Sequence, residues 1–295
     1  MNHRRHLTAL FALLLVAACA DDNQGYQGPQ DPLDAFEPGL VDELDCRPQL
    51  DGIIDADQLQ PVLGVPLRYR VSPASHTRPV NLAGFQDQLG VRVWDFRAID
   101  GDYAGDQALE IVATEIDARW YADHYDGAQF TTILDPTLGL DAVYSHDGDT
   151  LYLHGYASRE ENPDTGQTLV VYQEPVTAYA FPLAEGDQWT SVGTVHDGRV
   201  RGLPYSGTET YEFRIDATGE LWLPQLTFEK VLRVRTALTI ETPIGQPTYR
   251  EQVQFLFECF GEVMRLVGPS VNLSDEFSPD DYTLDEVVEM RRLGL

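Results

Sequence analysis

Lysine is almost absent from the sequence, because Lys230 is the only one among 295 residues. Arginine supplies the other positive charges. The chain has 20 Lys and Arg against 48 Asp and Glu, which gives a formal net charge of −28. A chain this negative repels phosphate backbones, so the sequence predicts no nucleic-acid partner. It also offers anionic lipid no electrostatic attraction.

Motifs typical of catalysis or metal binding are also missing. The chain has no HExxH, no GxSxG and no glycine-rich phosphate loop. Acidic pairs such as Glu160-Glu161 are too frequent to single out a glycosidase couple. We therefore predict no catalytic residues, no metal and no cofactor, and we keep a hydrolase only as a third hypothesis.

Two segments resemble metal sites, but each has an incomplete set of ligands. His146 and His154 flank a hairpin and could approach a carboxylate to bind zinc, but solvated surface histidines are the simpler interpretation. Residues 47–58 resemble part of a calcium loop. Arg47 and Gln58 occupy its first and twelfth ligand positions, where acids belong. A turn before a strand is the preferred interpretation of this segment.

The N-terminal apolar run is too short to span a bilayer. It extends from Leu7 to Val16 behind a basic start, well below the ~20 residues that a spanning helix needs. A basic start, a short apolar run and small residues at a cleavage point are typical of a secretory signal peptide. Residues 1–18 are predicted to be that signal peptide.

The segment Val16–Cys19 reads Val-Ala-Ala-Cys. It resembles the lipobox of bacterial lipoproteins. The resemblance implies a diacylglycerol on the Cys19 thiol, cleavage before Cys19, and acylation, for example by palmitate, of the new N-terminus. Several acyl chains anchor a protein durably to a membrane. Asp21 at its position favours the outer membrane of a bacterial envelope. The alternative is an ordinary secretion signal with a chance cysteine.

Residues 19–45 are predicted to be an acidic disordered tether. They contain eight Asp and Glu but no Lys or Arg, and glycine and proline interrupt any regular period. Such a charged linker extends by self-repulsion. An ordered strap across the domain is the alternative. The folded domain is predicted to cover residues 46–295. A weak boundary near residue 165 allows an alternative in which the domain has two halves, 46–164 and 165–295.

Cys46 and Cys259 remain after lipidation of Cys19. Export places them in an oxidising compartment, where an isolated pair is commonly bridged. The predicted disulfide would join the beginning of the domain to a late strand. Two buried free thiols are the alternative.

The folded region is predicted to be all-β. Val91–Phe96 and Tyr211–Asp216 alternate apolar and polar residues, and Asp147-Gly148-Asp149 is a hairpin signal. A turn is predicted at residues 217–219. Strand signals at short intervals indicate a large curved antiparallel sheet, a half-barrel or a sandwich.

A short C-terminal helix is predicted to dock on this sheet. Thr283 and Glu286 have the spacing of a capping box. Arg291 and Arg292 would lie in the last turn, and Gly294 would stop the helix.

Four motifs lie between Tyr179 and Arg265: Phe181-Pro182-Leu183, Asp216–Leu221, Val231–Arg235 and Glu258–Val263. With them this segment resembles a family of uncharacterised acidic bacterial lipoproteins. The resemblance implies a surface-exposed or periplasm-facing β-protein of unknown role. At the level of the fold alone, the chain is also similar to the half-barrels of periplasmic lipoprotein carriers.

The leading functional prediction is a lipid-anchored exported envelope protein with a non-enzymatic interaction or structural role. Its lipid anchor would attach it to the membrane, and it would contact an envelope protein partner. The alternative is a carrier for a lipid or other hydrophobic ligand, which predicts an apolar cavity of several hundred Å³. Aromatic residues such as Trp94, Trp120, Trp189 and Trp222 would fill the core, or else line a groove for a hydrophobic ligand or a glycan.

Overall fold

The computed structural model describes residues 46–73, 76–98, 103, 105–273 and 282–294. Residues Cys46–Leu295 form one unit of the chain. The predicted signal peptide, the lipidation site Cys19 and the tether of residues 19–45 lie outside the described residues. Within the described ranges, no helix is long and apolar enough to cross a membrane.

Strands make up most of the described chain. A four-residue helix, α1, covers Ala56–Leu59, and 3₁₀ turns lie at Ile116–Ala118 and Ala122–His124. The strands are β1 (Ile53–Ile54), β2 (Pro66–Val71), β3 (Arg78–Pro79), β4 (Phe85–Gln86), β5 (Arg92–Asp95), β6 (Gln107–Val112), β7 (Thr114–Glu115), β8 (Phe130–Asp135), β9 (Leu140–His146), β10 (Thr150–Ser158), β11 (Leu169–Ala180), β12 (Leu183–Ala184), β13 (Gln188–Val200), β14 (Leu203–Trp222), β15 (Thr227–Glu241), β16 (Thr248–Phe257), β17 (Gly261–Val267), β18 (Val271–Asn272), β19 (Glu286–Val287) and β20 (Glu289–Leu293).

One large antiparallel sheet contains most of these strands, in the order β6-β2-β20-β17-β16-β15-β14-β13-β11-β10-β9-β8-β7. The two end strands, β6 and β7, follow each other in the sequence. The sheet therefore curls back towards its own start and is nearly closed and barrel-shaped. The predicted all-β, antiparallel fold class is confirmed. Strands from both sides of residue 165 belong to this one sheet.

The middle of strand β15 is buried on both faces of the sheet. In β15, Leu232 and Val234 point to the concave face, while Val231 and Arg233 point to the convex face, and all four are buried. A strand covered on both sides has apolar residues at consecutive positions instead of a clean alternation. Strand β14 likewise continues through residues 217–219, where a turn was predicted. The register shift between Ile215 and Ala217 is a local irregularity in the ladder with β15.

The concave face is filled by its own side chains. A buried apolar cluster includes Ile54, Val170, Tyr172, Val176, Tyr179, Leu183, Val195, Phe213, Ile215, Leu232, Val234 and Leu256. The Tyr179 hydroxyl of β11 donates to the Gln254 side chain of β16 at 3.3 Å. Because three strands separate β11 from β16 in the sheet order, this hydrogen bond crosses the enclosed space.

A buried ion cluster completes the concave face beside Gln254. The Gln254 amide donates to the Glu262 carboxylate at 2.6 Å, and Arg265 Nε donates to the same oxygen at 2.7 Å. Arg291, only 1% exposed, donates from across the sheet to the Leu134 carbonyl at 3.1 Å. Burial raises the pKa of Glu262, but Arg265 and Arg291 outweigh burial and lower it overall.

Two apolar clusters pack on the convex face. The larger one joins strands β14 to β17 and β20 to the segments that cover them, and it includes Leu82, Trp94, Phe96, Leu221, Phe228, Val253, Phe255, Met264, Leu266, Leu284, Val287 and Met290. The smaller one places Ile116, Tyr121 and Tyr125 on Val143 and Ala157.

The predicted C-terminal helix is wrong. Residues Glu286–Val287 and Glu289–Leu293 are strands, and β20 pairs with both β17 and β2. Successive side chains of β20 point to opposite faces of the sheet, as in a strand: Met290 packs on the convex face, and Arg291 enters the concave ion cluster. The capping pattern is local, and pairing on two sides outweighs it.

The predicted disulfide is present. Cys46 and Cys259 are bridged, with their Cα atoms 5.6 Å apart. Next to the bridge, the Glu258 carboxylate accepts hydrogen bonds from the backbone N–H groups of Gln49 and Leu50, the latter at 3.0 Å. The Cys259 N–H donates to the Gln58 carbonyl at 2.8 Å. The first described residues are therefore fastened to the turn between β16 and β17.

Candidate functional site

A polar groove lies on the convex face over strands β13 to β16. Its volume is about 710 Å³, within the range of ~300–1,000 Å³ that ligand sites occupy. We call it the convex groove. Its lining residues are Gln188, Trp189, Thr190, Glu212, Phe213, Arg214, Arg235, Ala237, Tyr249, Glu251 and Tyr282.

Strand register builds the floor of the convex groove. Arg214 of β14 lies opposite Arg235 of β15, and Glu212 lies opposite Ala237. Ala237 in turn lies opposite Glu251 of β16. Because side chains alternate between faces, these positions all point to the convex side. The small side chain of Ala237 leaves a depression in the middle of the charged residues.

Arg235 and Glu251 form an ion pair at the base of the groove. Arg235 Nε donates to Glu251 at 2.6 Å, and a second guanidinium nitrogen makes a closer contact with the same carboxylate. Asp216 lies 3.7 Å from Arg235. Burial raises the pKa of Glu251, and Arg235 opposes that rise. A carboxyl with a perturbed pKa beside a charge partner in a cleft is typical of a functional site.

Arg214 and Glu212 extend the charged floor to the solvent. Both side chains are exposed, and Arg214 faces Arg235 directly across the ladder. Like charges in that position destabilise a sheet unless anions lie close by. Two arginines and two glutamates line the groove, so its formal charge is zero in a protein of net charge −28. The convex groove is therefore neutral where the chain as a whole is strongly acidic.

Tyrosines form one wall of the groove. The rings of Tyr249 and Tyr282 meet edge to face, with their centroids 5.5 Å apart. Burial, together with Glu251, raises the pKa of Tyr249 to about 12, so its hydroxyl keeps its proton at neutral pH. The rings of Trp189 and Phe213 stack at 4.9 Å and pack with the concave core beneath the floor.

No known protein family, curated protein or solved structure matches this chain. The resemblance to uncharacterised acidic bacterial lipoproteins, and the distant likeness to lipoprotein carriers, therefore stay predictions.

The structure does not bring together the residues of the two metal sites considered from the sequence. His154 Nε2 lies 2.7 Å from the Ser145 hydroxyl, whereas His146 Nδ1 accepts from the Gly148 N–H. In residues 47–58, Asp51 accepts from the Ile53 N–H, as in a turn. Among the described residues, no group of three or more His, Cys, Asp or Glu is placed to hold a metal ion.

The aromatic residues divide between core and surface. Trp94 and Tyr121 are fully buried in the convex clusters, which matches the core interpretation. Trp222 is half-buried and carries the Arg97 guanidinium 4.1 Å from its ring centre. Sequence reasoning missed the convex groove, since its charged residues come from three strands and meet only through their register. Arg233 and Arg235, which alternate with Val234 in β15 and so share one face, were the one available signal.

A second polar cluster on the concave face was also missed. Glu209 is 1% exposed, and its carboxylate accepts hydrogen bonds from four tyrosine hydroxyls. Tyr156 and Tyr205 donate to one oxygen at 2.9 and 2.7 Å. Tyr172 and Tyr211 donate to the other at 2.6 and 3.1 Å. Both carboxylate oxygens accept hydrogen bonds from within the chain. This cluster therefore stabilises the interior and offers a ligand no free hydrogen-bond acceptor.

Proposed function

We propose that this protein is exported, is anchored to a bacterial membrane through lipid on Cys19, and serves a non-enzymatic binding role in the cell envelope. The single observation that carries the anchoring is the Val-Ala-Ala-Cys sequence of Val16–Cys19 behind a short apolar run. The Cys46–Cys259 bridge supports export, since such bridges persist in oxidising compartments.

The convex groove supports the binding role. It is open, polar and neutral, and its buried carboxyl, Glu251, is held by Arg235. That pairing suits positioning and hydrogen bonding better than proton transfer, because the Arg235 guanidinium already donates to the Glu251 carboxylate. A role in binding is therefore favoured over the hydrolase hypothesis.

The filled concave face counts against the carrier hypothesis. A hydrophobic ligand needs an apolar space, but Tyr179, Gln254 and the Glu262–Arg265–Arg291 cluster occupy the enclosed region. A second groove, of about 530 Å³, includes Glu185, Glu220 and Lys230 in its lining. Polar and charged residues make up most of the lining of both grooves, which suits an acyl chain poorly.

Fractionation of a bacterium that expresses the full chain tests the anchoring. We expect the wild-type protein in the membrane fraction, released by detergent but not by high salt, and a Cys19→Ser variant that loses this behaviour. A Cys46→Ser/Cys259→Ser variant is the matched control and is expected to stay with the membrane. Wild-type protein that is soluble without detergent would contradict the proposal.

Amine labelling gives an independent test of N-terminal acylation. Lys230 is the only lysine of the chain, and it is exposed. If the new N-terminus is acylated, the mature chain has one primary amine and takes up one amine-reactive label. A Lys230→Arg variant then takes up none. A second label on the wild-type protein would show that the α-amino group is free.

A further inference from the structure

The convex groove restricts the chemistry of its ligand. Its volume of about 710 Å³ is far larger than a single ion needs. Donors and acceptors alternate along it, because Gln188, Arg214 and Arg235 lie among Glu212 and Glu251. A purely anionic ligand would meet two carboxylates, and a purely cationic ligand would meet two guanidinium groups. The fitting ligand is uncharged overall and carries many groups that both donate and accept hydrogen bonds.

The backbone of the floor is not available to a ligand. Each of the strands β13, β14, β15 and β16 has a hydrogen-bonded neighbour on both sides. A peptide therefore cannot add as a further strand at this place, which is the common mode in which extended peptides bind a sheet. Only side chains remain to contact the ligand, and polar side chains provide most of those contacts.

The net charge of the whole chain also favours an uncharged ligand. At −28, the protein repels polyanions before they reach the groove. Tyr282 lines the groove and is half-buried, so its ring offers a face against which the C–H face of a sugar packs, while Tyr249, which it contacts, is buried. Vicinal hydroxyls match a floor where a guanidinium and a carboxylate lie side by side.

We propose that the convex groove binds a neutral oligosaccharide, with Arg214, Arg235 and Glu251 as hydrogen-bonding partners of its hydroxyls. This assignment rests on the proposed binding role, and it names the class of ligand for that role. Arg214 is the sharpest probe because its side chain is exposed, so its removal leaves the fold intact.

Isothermal titration of the full mature chain in detergent tests the assignment. The probes are uncharged tetra- to hexasaccharides of glucose, N-acetylglucosamine, mannose and xylose. We expect at least one series to bind saturably. The Arg214→Ala variant should weaken that binding by about tenfold or more, because charged hydrogen bonds contribute that much. The Ala237→Trp variant, which fills the depression in the floor, should abolish it.

The control is Arg199→Ala, which removes an exposed arginine of β13 outside the groove and should leave binding unchanged. Near-ultraviolet circular dichroism verifies the fold of each variant. Absence of saturable binding at millimolar sugar overturns the assignment. So does binding that survives both groove substitutions, or binding confined to uronate oligosaccharides or peptides tested in parallel.

The sugar-binding test and the anchoring test can fail independently of each other. A chain that fractionates with the membrane but binds no sugar retains the anchor and loses the ligand assignment. A chain that binds sugar but carries no lipid on Cys19 does the reverse.

Discussion

The Cys46–Cys259 bridge is expected to supply a large share of the stability of the domain. The two cysteines are 213 residues apart in the sequence, and the chain-entropy estimate for a loop of that length is about 5 kcal/mol. Typical domains are stable by only ~5–15 kcal/mol. We therefore expect a Cys46→Ser/Cys259→Ser variant to lose about 3–5 kcal/mol of unfolding free energy, since residual structure in the unfolded chain reduces the ideal value.

Urea unfolding followed by tryptophan fluorescence measures this loss, because Trp94 is fully buried in the folded protein. The control is Glu258→Gln, which weakens the hydrogen bonds to Gln49 and Leu50 but keeps the closed loop. It should cost only about 1–3 kcal/mol. A double variant within about 1 kcal/mol of wild type would refute the entropic reasoning, given the accuracy of such extrapolations.

Four further predictions concern the buried polar clusters and the convex groove. Arg265→Met leaves the Glu262 carboxylate short of its closest cation and should cost about 3–5 kcal/mol by urea unfolding. The pKa of Glu262 lies below its ordinary value of 4.5, so its contribution is present above that pH and is lost as the pH falls through the lower, folded-state pKa. Wild-type stability should therefore fall on acidification below pH 4.5, and a pH series that shows no such loss would contradict this assignment. Tyr172→Phe removes one donor from Glu209 and should cost about 1–3 kcal/mol, and full retention of thermal stability would argue against the tyrosine cluster. Glu251→Gln should keep wild-type stability at neutral pH, since the pKa of Glu251 is raised by burial and its charge is a cost to the fold, while oligosaccharide binding weakens.

The fold class could be predicted because it depends on local patterns. Alternation in segments such as Val91–Phe96, and the Asp147-Gly148-Asp149 hairpin, report strands and turns without reference to the rest of the chain. The C-terminal segment failed for the opposite reason. Its capping pattern is local, but its structure is decided by pairing with β17 and β2 and by the place of Arg291 in the interior.

The polar sites could not be predicted because register creates them. Arg214, Arg235 and Glu251 belong to three strands, and only the alignment of β14, β15 and β16 brings them to one face. Glu209 and Tyr172 are 37 residues apart and meet across the concave face. The disulfide needed no register, because only Cys46 and Cys259 remain once Cys19 is assigned to the proposed lipid anchor, and two cysteines offer a single pairing.

The intact mass of the chain extracted from the membrane with detergent decides whether Cys19 carries the proposed lipid anchor. We expect residues 19–295 with a diacylglyceryl group on the Cys19 thiol, one acyl group in amide linkage on its amine, and the two thiol hydrogens of the Cys46–Cys259 bridge removed. A mass that corresponds to an unmodified Cys19, or to cleavage at another residue, would contradict the proposed anchoring.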